Sequence, residues 1–326
     1  MNLLTNKFTN DWITNQMHFW YGKYCWIGER TWSEMGSNLT SRCALTLQDT
    51  IETMRTKDFP AWKEDRCNMH LQKIQAWNNI KSFTKNHVFP LRFSDNSGHN
   101  RPSISHSRPY YTGHGMLTIL DDVWARHKHG SDDSLTFEDK TNKIHFLGSF
   151  TGPFVSTEFK TSRVEIISKW FNQAEWLDVG FILKPANVAD RPEYKEKLEP
   201  MIKPQIQIKE CMKHRYILCI EGNDGCSAFS WALASNSVPI HTYPFSSATH
   251  FMYGLIPYVH FVPVKRDGSD LHETWQWCQE NESKCKEIAQ NGREHMKPMQ
   301  DKELCLRVEA EFVKLWDLQI KHIKKI

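Results

Sequence analysis

The residues with the most chemical promise lie between positions 215 and 243. Five apolar residues, 216–220, run into a polar turn, Glu221-Gly222-Asn223-Asp224-Gly225. Ser227 then opens an apolar run that continues to Ser235, and a second short apolar run follows at 238–243. Strand, glycine turn, helix and strand in that order point free backbone N–H groups and the positive end of a helix dipole at one spot. The chemistry such a spot serves is the holding of a phosphate or diphosphate. The turn lacks the G-x-G-x-x-G spacing of dinucleotide-binding proteins, so a nicotinamide-dependent dehydrogenase is not expected.

Two further groups could carry charge or protons. Asp95 sits in a polar loop, 94–98, directly after the apolar run 88–93. Loops at strand ends commonly hold active residues, although by its type alone Asp95 also reads as a turn cap. Arg163 falls in the first turn of a helix expected over 162–171, where a cation opposes the helix dipole. A bound diphosphate would explain that placement, and so would a surface ion pair. The preceding loop, 148–157, contains Gly148, Gly152 and Pro153 and so exposes shaped backbone. His127 and His129, in 126–130, read as part of a solvated polar loop, because no matching ligand cluster accompanies them in sequence.

The elements that must position these groups follow from periodicity. Strands are expected at 143–148, 177–183, 216–220, 238–243 and within 253–264, with helices between them, which argues for a mostly parallel α/β sheet whose ligand lies at the carboxyl ends of the strands. The first part of the chain is less regular. Helical spacing occurs at 46–55 and at 68–81, where Met69, Ile74 and Trp77 form an inward stripe. A helix over 116–125 would carry Asp121 and Asp122 on a solvated face. A last helix, about 302–321, has Leu304, Val308, Phe312, Leu315 and Ile320 near one stripe.

Composition sets bounds on these readings. The chain has 326 residues with 24% charged and 40% hydrophobic, the balance of a globular protein with a sizeable core. A net charge of +3 is too small to make nucleic acid the main partner. Most of the 13 tryptophans are expected in the core. Nine cysteines, an odd count without a C-x-x-C pair, indicate reduced buried thiols and neither a disulfide framework nor a zinc ribbon. The first residues show no basic start followed by an apolar run, and no stretch is long enough to span a bilayer. A soluble, cytoplasmic protein is the expectation.

Taken in order, several motifs resemble those of glycosyltransferase family 90. The stretch from Glu221 to Val238 is similar to the family's nucleotide-sugar segment. Residues 254–264 resemble its P-W/Y-V-H-Y-I/V-P strand, and residues 270–293 its following helix pair. Upstream, Phe146-x-Gly148-Ser149-x-Thr151-Gly152 with Arg163 resembles its F-R-G-S-x-T-G element, and the resemblance covers about residues 85–300. It implies a GT-B-like α/β fold, two Rossmann-like lobes with a cleft between them. Residues 1–135 would form an acceptor-side lobe and 136–300 the nucleotide-sugar lobe, with 301–326 a helix packing back on the first. It implies inverting transfer of a sugar, xylose ahead of glucose, from a UDP-sugar to a glycan or glycoprotein hydroxyl. Asp95 would be the general base. Gly148, Ser149, Thr151, Gly152 and Arg163 would hold the diphosphate, and Gly222, Asn223, Asp224, Gly225, Ser227 and Phe229 the nucleotide. No tightly bound cofactor and no metal are expected. Leu147, Phe150 and Ala228 stand where relatives carry basic residues, and Tyr253 where bacterial members carry an acidic one. A non-catalytic nucleotide- or carbohydrate-binding protein on the same scaffold is the alternative.

Overall fold

The computed structural model describes residues 61–80, 104–110, 116–119, 121–182 and 197–319. In chain order its elements are α1 (Ala61–Ile80), β1 (Ile104–Ser105), β2 (Arg108–Pro109), β3 (Met116–Leu117), α2 (Asp121–Ser131), β4 (Thr141–Gly148), α3 (Arg163–Trp170), β5 (Leu177–Phe181), α4 (Ile208–Cys211), β6 (His214–Cys219), α5 (Ser227–Ala234), β7 (Val238–Tyr243), β8 (Ser247–Ala248), β9 (Val262–Lys265), α6 (Leu271–Glu280), α7 (Glu282–Gln300) and α8 (Lys302–Gln319). Two compact units result. One comprises Met1–Asp122, Ser247–Tyr253 and Asp301–Ile326, the other Val123–Ser246 and Gly254–Gln300.

The second unit is built on a five-stranded sheet in the order β5-β4-β6-β7-β9. Every pairing in it is parallel. Alternate residues of the strands put one apolar row on one face: Ile144 and Phe146, Val179 and Phe181, Tyr216 and Leu218, Val238 and Ile240, Val262 and Val264 are all buried in a single core. Helix α3 contributes Val164, Ile166 and Ile167 to that core, α6 contributes Leu271 and Cys278, and α7 contributes Ile288. The α/β sheet expected from strand–helix alternation is therefore present.

Two local expectations are corrected. Residues 126–130, read as a polar loop, are helical and belong to α2, whereas the helix expected from residue 116 begins only at Asp121. Gly130 misled that reading. It is a close-packing glycine, since a Cβ there would stand 2.3 Å from the Trp231 carbonyl oxygen on α5. His127 is fully buried, and His129 is exposed. The strand expected within 253–264 is confined to β9, because Tyr258 adopts a positive φ of 58° and its N–H closes a turn onto the Phe261 carbonyl.

In the first unit α1 lies against α8. The stripe on α1 is real, with Ile74 and Trp77 buried. One carboxylate organises the contact. Glu309 on α8 is completely buried and accepts from Lys73 Nζ at 2.7 Å, Trp77 Nε1 at 3.0 Å, Thr118 Oγ1 at 2.9 Å and the Ile119 N–H at 2.9 Å. A buried charge is tolerable only when paired and hydrogen-bonded, and removing one partner strands the other. Glu309→Ala should therefore cost about 3–5 kcal/mol, read from the urea midpoint. A loss under about 1 kcal/mol, the worth of an exposed ion pair, would contradict the burial of this hub.

In the second unit, burial pulls the pKa of His127 and of His241 from 6.5 down to about 4. Both are neutral in the fold. The unfolded chain takes up a proton at each as pH drops below 6.5, while the folded chain resists until about 4. Stability is thus full above 6.5 and is lost between 6.5 and 4, by up to about 3 kcal/mol per group. His241 packs among Phe229, Phe245 and Phe261. His241→Phe should flatten the slope of urea midpoint against pH between about 6.5 and 4, and an unchanged slope would contradict this account.

Candidate functional site

The strand order fixes where a crevice must lie. From β4 the chain crosses through α3 to β5 on one side, and from β6 it crosses through α5 to β7 on the other. Strands β4 and β6 are neighbours. The connections leaving their carboxyl ends therefore run in opposite directions and open a crevice between them, the topological switch point where α/β sheets bind ligands. The loop after β4 starts at Ser149, and the turn after β6 is Glu221–Gly225.

Arg163, first residue of α3, joins these two segments. Its Nε donates to the Ile220 carbonyl at 2.9 Å, and Nη1 donates to the Ser149 carbonyl at 3.0 Å and to Thr151 Oγ1 at 3.0 Å. Arg163 as a whole is 8% exposed. Burial pulls its pKa down, and the Cys226 and Glu221 side chains nearby pull in the opposite direction. The cation is a buried bridge between two backbone segments and not the surface ion pair that was one of the two expected placements.

Glycine permits the approach. Gly152 has φ +101°, and a Cβ there would stand 3.0 Å from the Gly222 carbonyl oxygen. A Cβ on Gly222 would stand 2.8 Å from Thr151 Oγ1 and 3.0 Å from the Arg163 guanidinium carbon. The Gly152 N–H donates to Asn223 Oδ1 at 3.0 Å. The loop is fixed on its other side too. Ser162 caps α3 by accepting from the Glu165 N–H at 3.0 Å, the Glu165 carboxylate accepts from the Ser156 N–H at 2.6 Å, and Ser156 Oγ accepts from the Ser162 N–H at 2.9 Å.

The structure thus brings together Gly148, Ser149, Thr151, Gly152, Arg163, Gly222 and Asn223. Asp224 is buried, and its carbonyl accepts from the Gly222 N–H at 2.9 Å, which closes the turn. Gly225 follows it. Ser227 is exposed in the first turn of α5, whose N-cap position is Cys226 and makes no side-chain cap hydrogen bond. That helix start turns the positive end of the α5 dipole toward the crevice. Phe229, in the same first turn of α5, has its side chain buried among His241, Phe245 and Phe261. Asp95 lies outside the described residues.

Sequence reasoning missed Glu221 as a structural clamp. Its buried carboxylate accepts from the Ser246 N–H through both oxygens, at 2.9 and 3.0 Å, and so ties the turn after β6 to the segment after β7. A carboxylate beside two glycines carries no periodic signal of burial. Among the places where relatives carry basic residues, Phe150 is buried edge-on against Phe181 and belongs to the core.

A parallel α/β sheet with glycine turns at its switch point is an arrangement shared by many ligand-binding α/β proteins. The comparisons narrow it. The sequence profile of glycosyl transferase family 90 matches residues 132–305, more than half of the chain. The protein belongs to that family. A protein of Invertebrate iridescent virus 6, 179R, is 38% identical over 107 residues, covering 30% of this chain and 9% of its own length. The O-glucosyltransferase LpsA of Dichelobacter nodosus is 27% identical over 239 residues, covering 71% of this chain and 68% of its own. The chain thus spans less than a tenth of the viral relative. A crystal structure of Anabaena Alr3699/HepE in complex with UDP and glucose overlaps 66% of this chain and 62% of its own, at 11% identity and a TM-score of 0.37.

Gly222→Ala should force Thr151 and Arg163 apart. The expected result is loss of most thermal stabilisation by UDP, with the unliganded protein still folded by circular dichroism. An undiminished UDP response would show that the close approach of the two turns is not needed for binding.

Proposed function

We propose that the protein transfers a sugar from a UDP-sugar to a hydroxyl of a glycan or glycoprotein acceptor, with inversion at the anomeric carbon. The observation that carries this reading is the contact of two glycine turns around Arg163 at the β4/β6 switch point. The acceptor oxygen attacks the anomeric carbon as the bond to the UDP oxygen breaks. A carboxylate takes the acceptor's proton, and the family motif puts Asp95 in that role. Charge grows on the departing diphosphate. The start of α5 and the backbone of residues 148–152 are the donors for it, in a setting whose field the buried Arg163 makes positive. Those donors supply what a divalent cation would, so turnover without added metal is part of the proposal. So are a two-lobed GT-B cleft, an acceptor side built from residues 1–135, and a cytoplasmic setting.

Of the two donor sugars, the sequence resemblance favours xylose, and the O-glucosyltransferase name of the bacterial relative supports glucose. A second reading, nucleotide-sugar binding without transfer, draws support from Leu147, Phe150 and Ala228 in positions that are basic in relatives.

A thermal-shift panel of nucleotides and nucleotide sugars without added metal tests the site, because a ligand of the folded state raises its apparent stability. UDP and either UDP-glucose or UDP-xylose should shift the transition, and GDP-sugars should not. Asp95→Asn should lower kcat by about 10²–10⁴-fold and leave the UDP shift intact. Unchanged transfer in that variant removes Asp95 as base, and UDP binding without transfer in the parent protein establishes the second reading.

A further inference from the structure

Two cysteines bracket the turn after β6. Cys219 is the last residue of β6, and Cys226 is the N-cap residue of α5. Both are free thiols, Cys219 at 0% exposure and Cys226 at 7%. Tyr216, Leu218 and Ile220 point into the core of the second unit, so Cys219 points to the opposite face of the sheet. Its register partner on β7 is His241, and His241 packs on Phe229 in the first turn of α5. Cys219 thus lies under the start of the helix whose N-cap is Cys226. The two side chains meet there in a thiol–thiol hydrogen bond.

The pair is chemically uneven. Cys226 sits at the positive end of the α5 dipole, where a thiolate is favoured. Its proton is held less tightly than an ordinary thiol's, first because the Cys219 thiol donates to its sulfur, and also because the Arg163 guanidinium is close. Burial keeps the Cys219 proton on its sulfur. Cys226 also keeps some contact with solvent, next to the exposed Ser227. One sulfur is therefore suited to attack an oxidant, and its neighbour to resolve the product.

We propose that Cys226 and Cys219 form a reversible disulfide on exposure to a peroxide, and that this bond switches the donor turn off. The Cys226 thiolate attacks one oxygen of hydrogen peroxide and the O–O bond breaks. Cys226 becomes a sulfenic acid, and the departing hydroxide takes up a proton to leave as water. The Cys219 sulfur then attacks the Cys226 sulfur, and the sulfenic hydroxyl leaves with the Cys219 proton as a second water. Two thiols are oxidised to one disulfide, and one peroxide is reduced to two waters. A dithiol reverses the change. An S–S bond of about 2.05 Å is far shorter than a thiol–thiol hydrogen bond, so it draws the start of α5 toward β6. The turn between them meets Gly152 and Arg163, and that contact shapes the proposed UDP site. The switch rests on the UDP reading; formation of the disulfide does not.

The test treats the reduced full chain with a small excess of hydrogen peroxide and maps the product by mass spectrometry. Trypsin cuts after Arg215 and next after Lys265, so peptide 216–265 holds these two cysteines and no other. That peptide should lose two hydrogens and regain them with dithiothreitol. Affinity for UDP, read from thermal shift against UDP concentration, should fall about tenfold on oxidation and return on reduction. Cys219→Ser should lose no hydrogens in this peptide and keep its UDP response under the same treatment. The peptide mass of the parent protein decides the pairing even if that variant folds poorly. Oxygen added to Cys226 without a disulfide, a bond to a cysteine outside the peptide, or no change in mass overturns the pair. A disulfide with undiminished UDP affinity overturns the switch. A reduced parent that never responds to UDP contradicts the donor reading and the switch with it, while the peptide mass decides the pair on its own.

Discussion

The site depends on one buried cation. Arg163 is removed from water, and that is tolerable only because the Ile220 and Ser149 carbonyls and the Thr151 hydroxyl accept its hydrogens, with Glu221 nearby. Each acceptor belongs to a segment leaving the carboxyl end of β4 or β6. Parting those segments would strand the guanidinium, so they are held in one arrangement before any ligand arrives. A prearranged set of donors costs less to organise at the moment of reaction than one assembled by the substrate.

From this bridge the other features follow. Two backbones can flank a guanidinium this closely only where Cβ atoms are missing, which fixes glycine at 152 and 222. Glu221 extends the brace to the segment after β7 through Ser246. Phe229 and its aromatic neighbours His241 and Phe261 pack α5 onto the core next to that turn. The clamp and the packing platform are separate devices, one polar and one apolar, acting on the same turn.

Much of this was legible in the sequence. The strand–helix alternation and the glycine turns predicted the sheet and located the crevice, because period-2 burial and positive-φ or close-approach positions leave marks in composition. Arg163 was identified, but its acceptors, two backbone carbonyls and the Thr151 hydroxyl, leave no mark in side-chain spacing. Residues 126–130 were read as a polar loop, when they are helical and Gly130 marks the contact of α2 with α5. Phe229 was assigned to the ligand by motif, and the turn of the helix directs it into the core. The Glu309 hub rests on contacts between residues far apart in sequence, and no local spacing announces them. Family membership rests on residues 132–305, and Asp95 precedes that span.

The central claim is that UDP binds between the turn after β6 and the loop after β4. Hydrogen exchange of the backbone amides with and without UDP tests it most directly. The account predicts slowed exchange concentrated in residues 148–163 and 220–229, with the amino-terminal edge of the sheet unchanged. Slowing confined to other segments, or spread evenly over the chain, would contradict it.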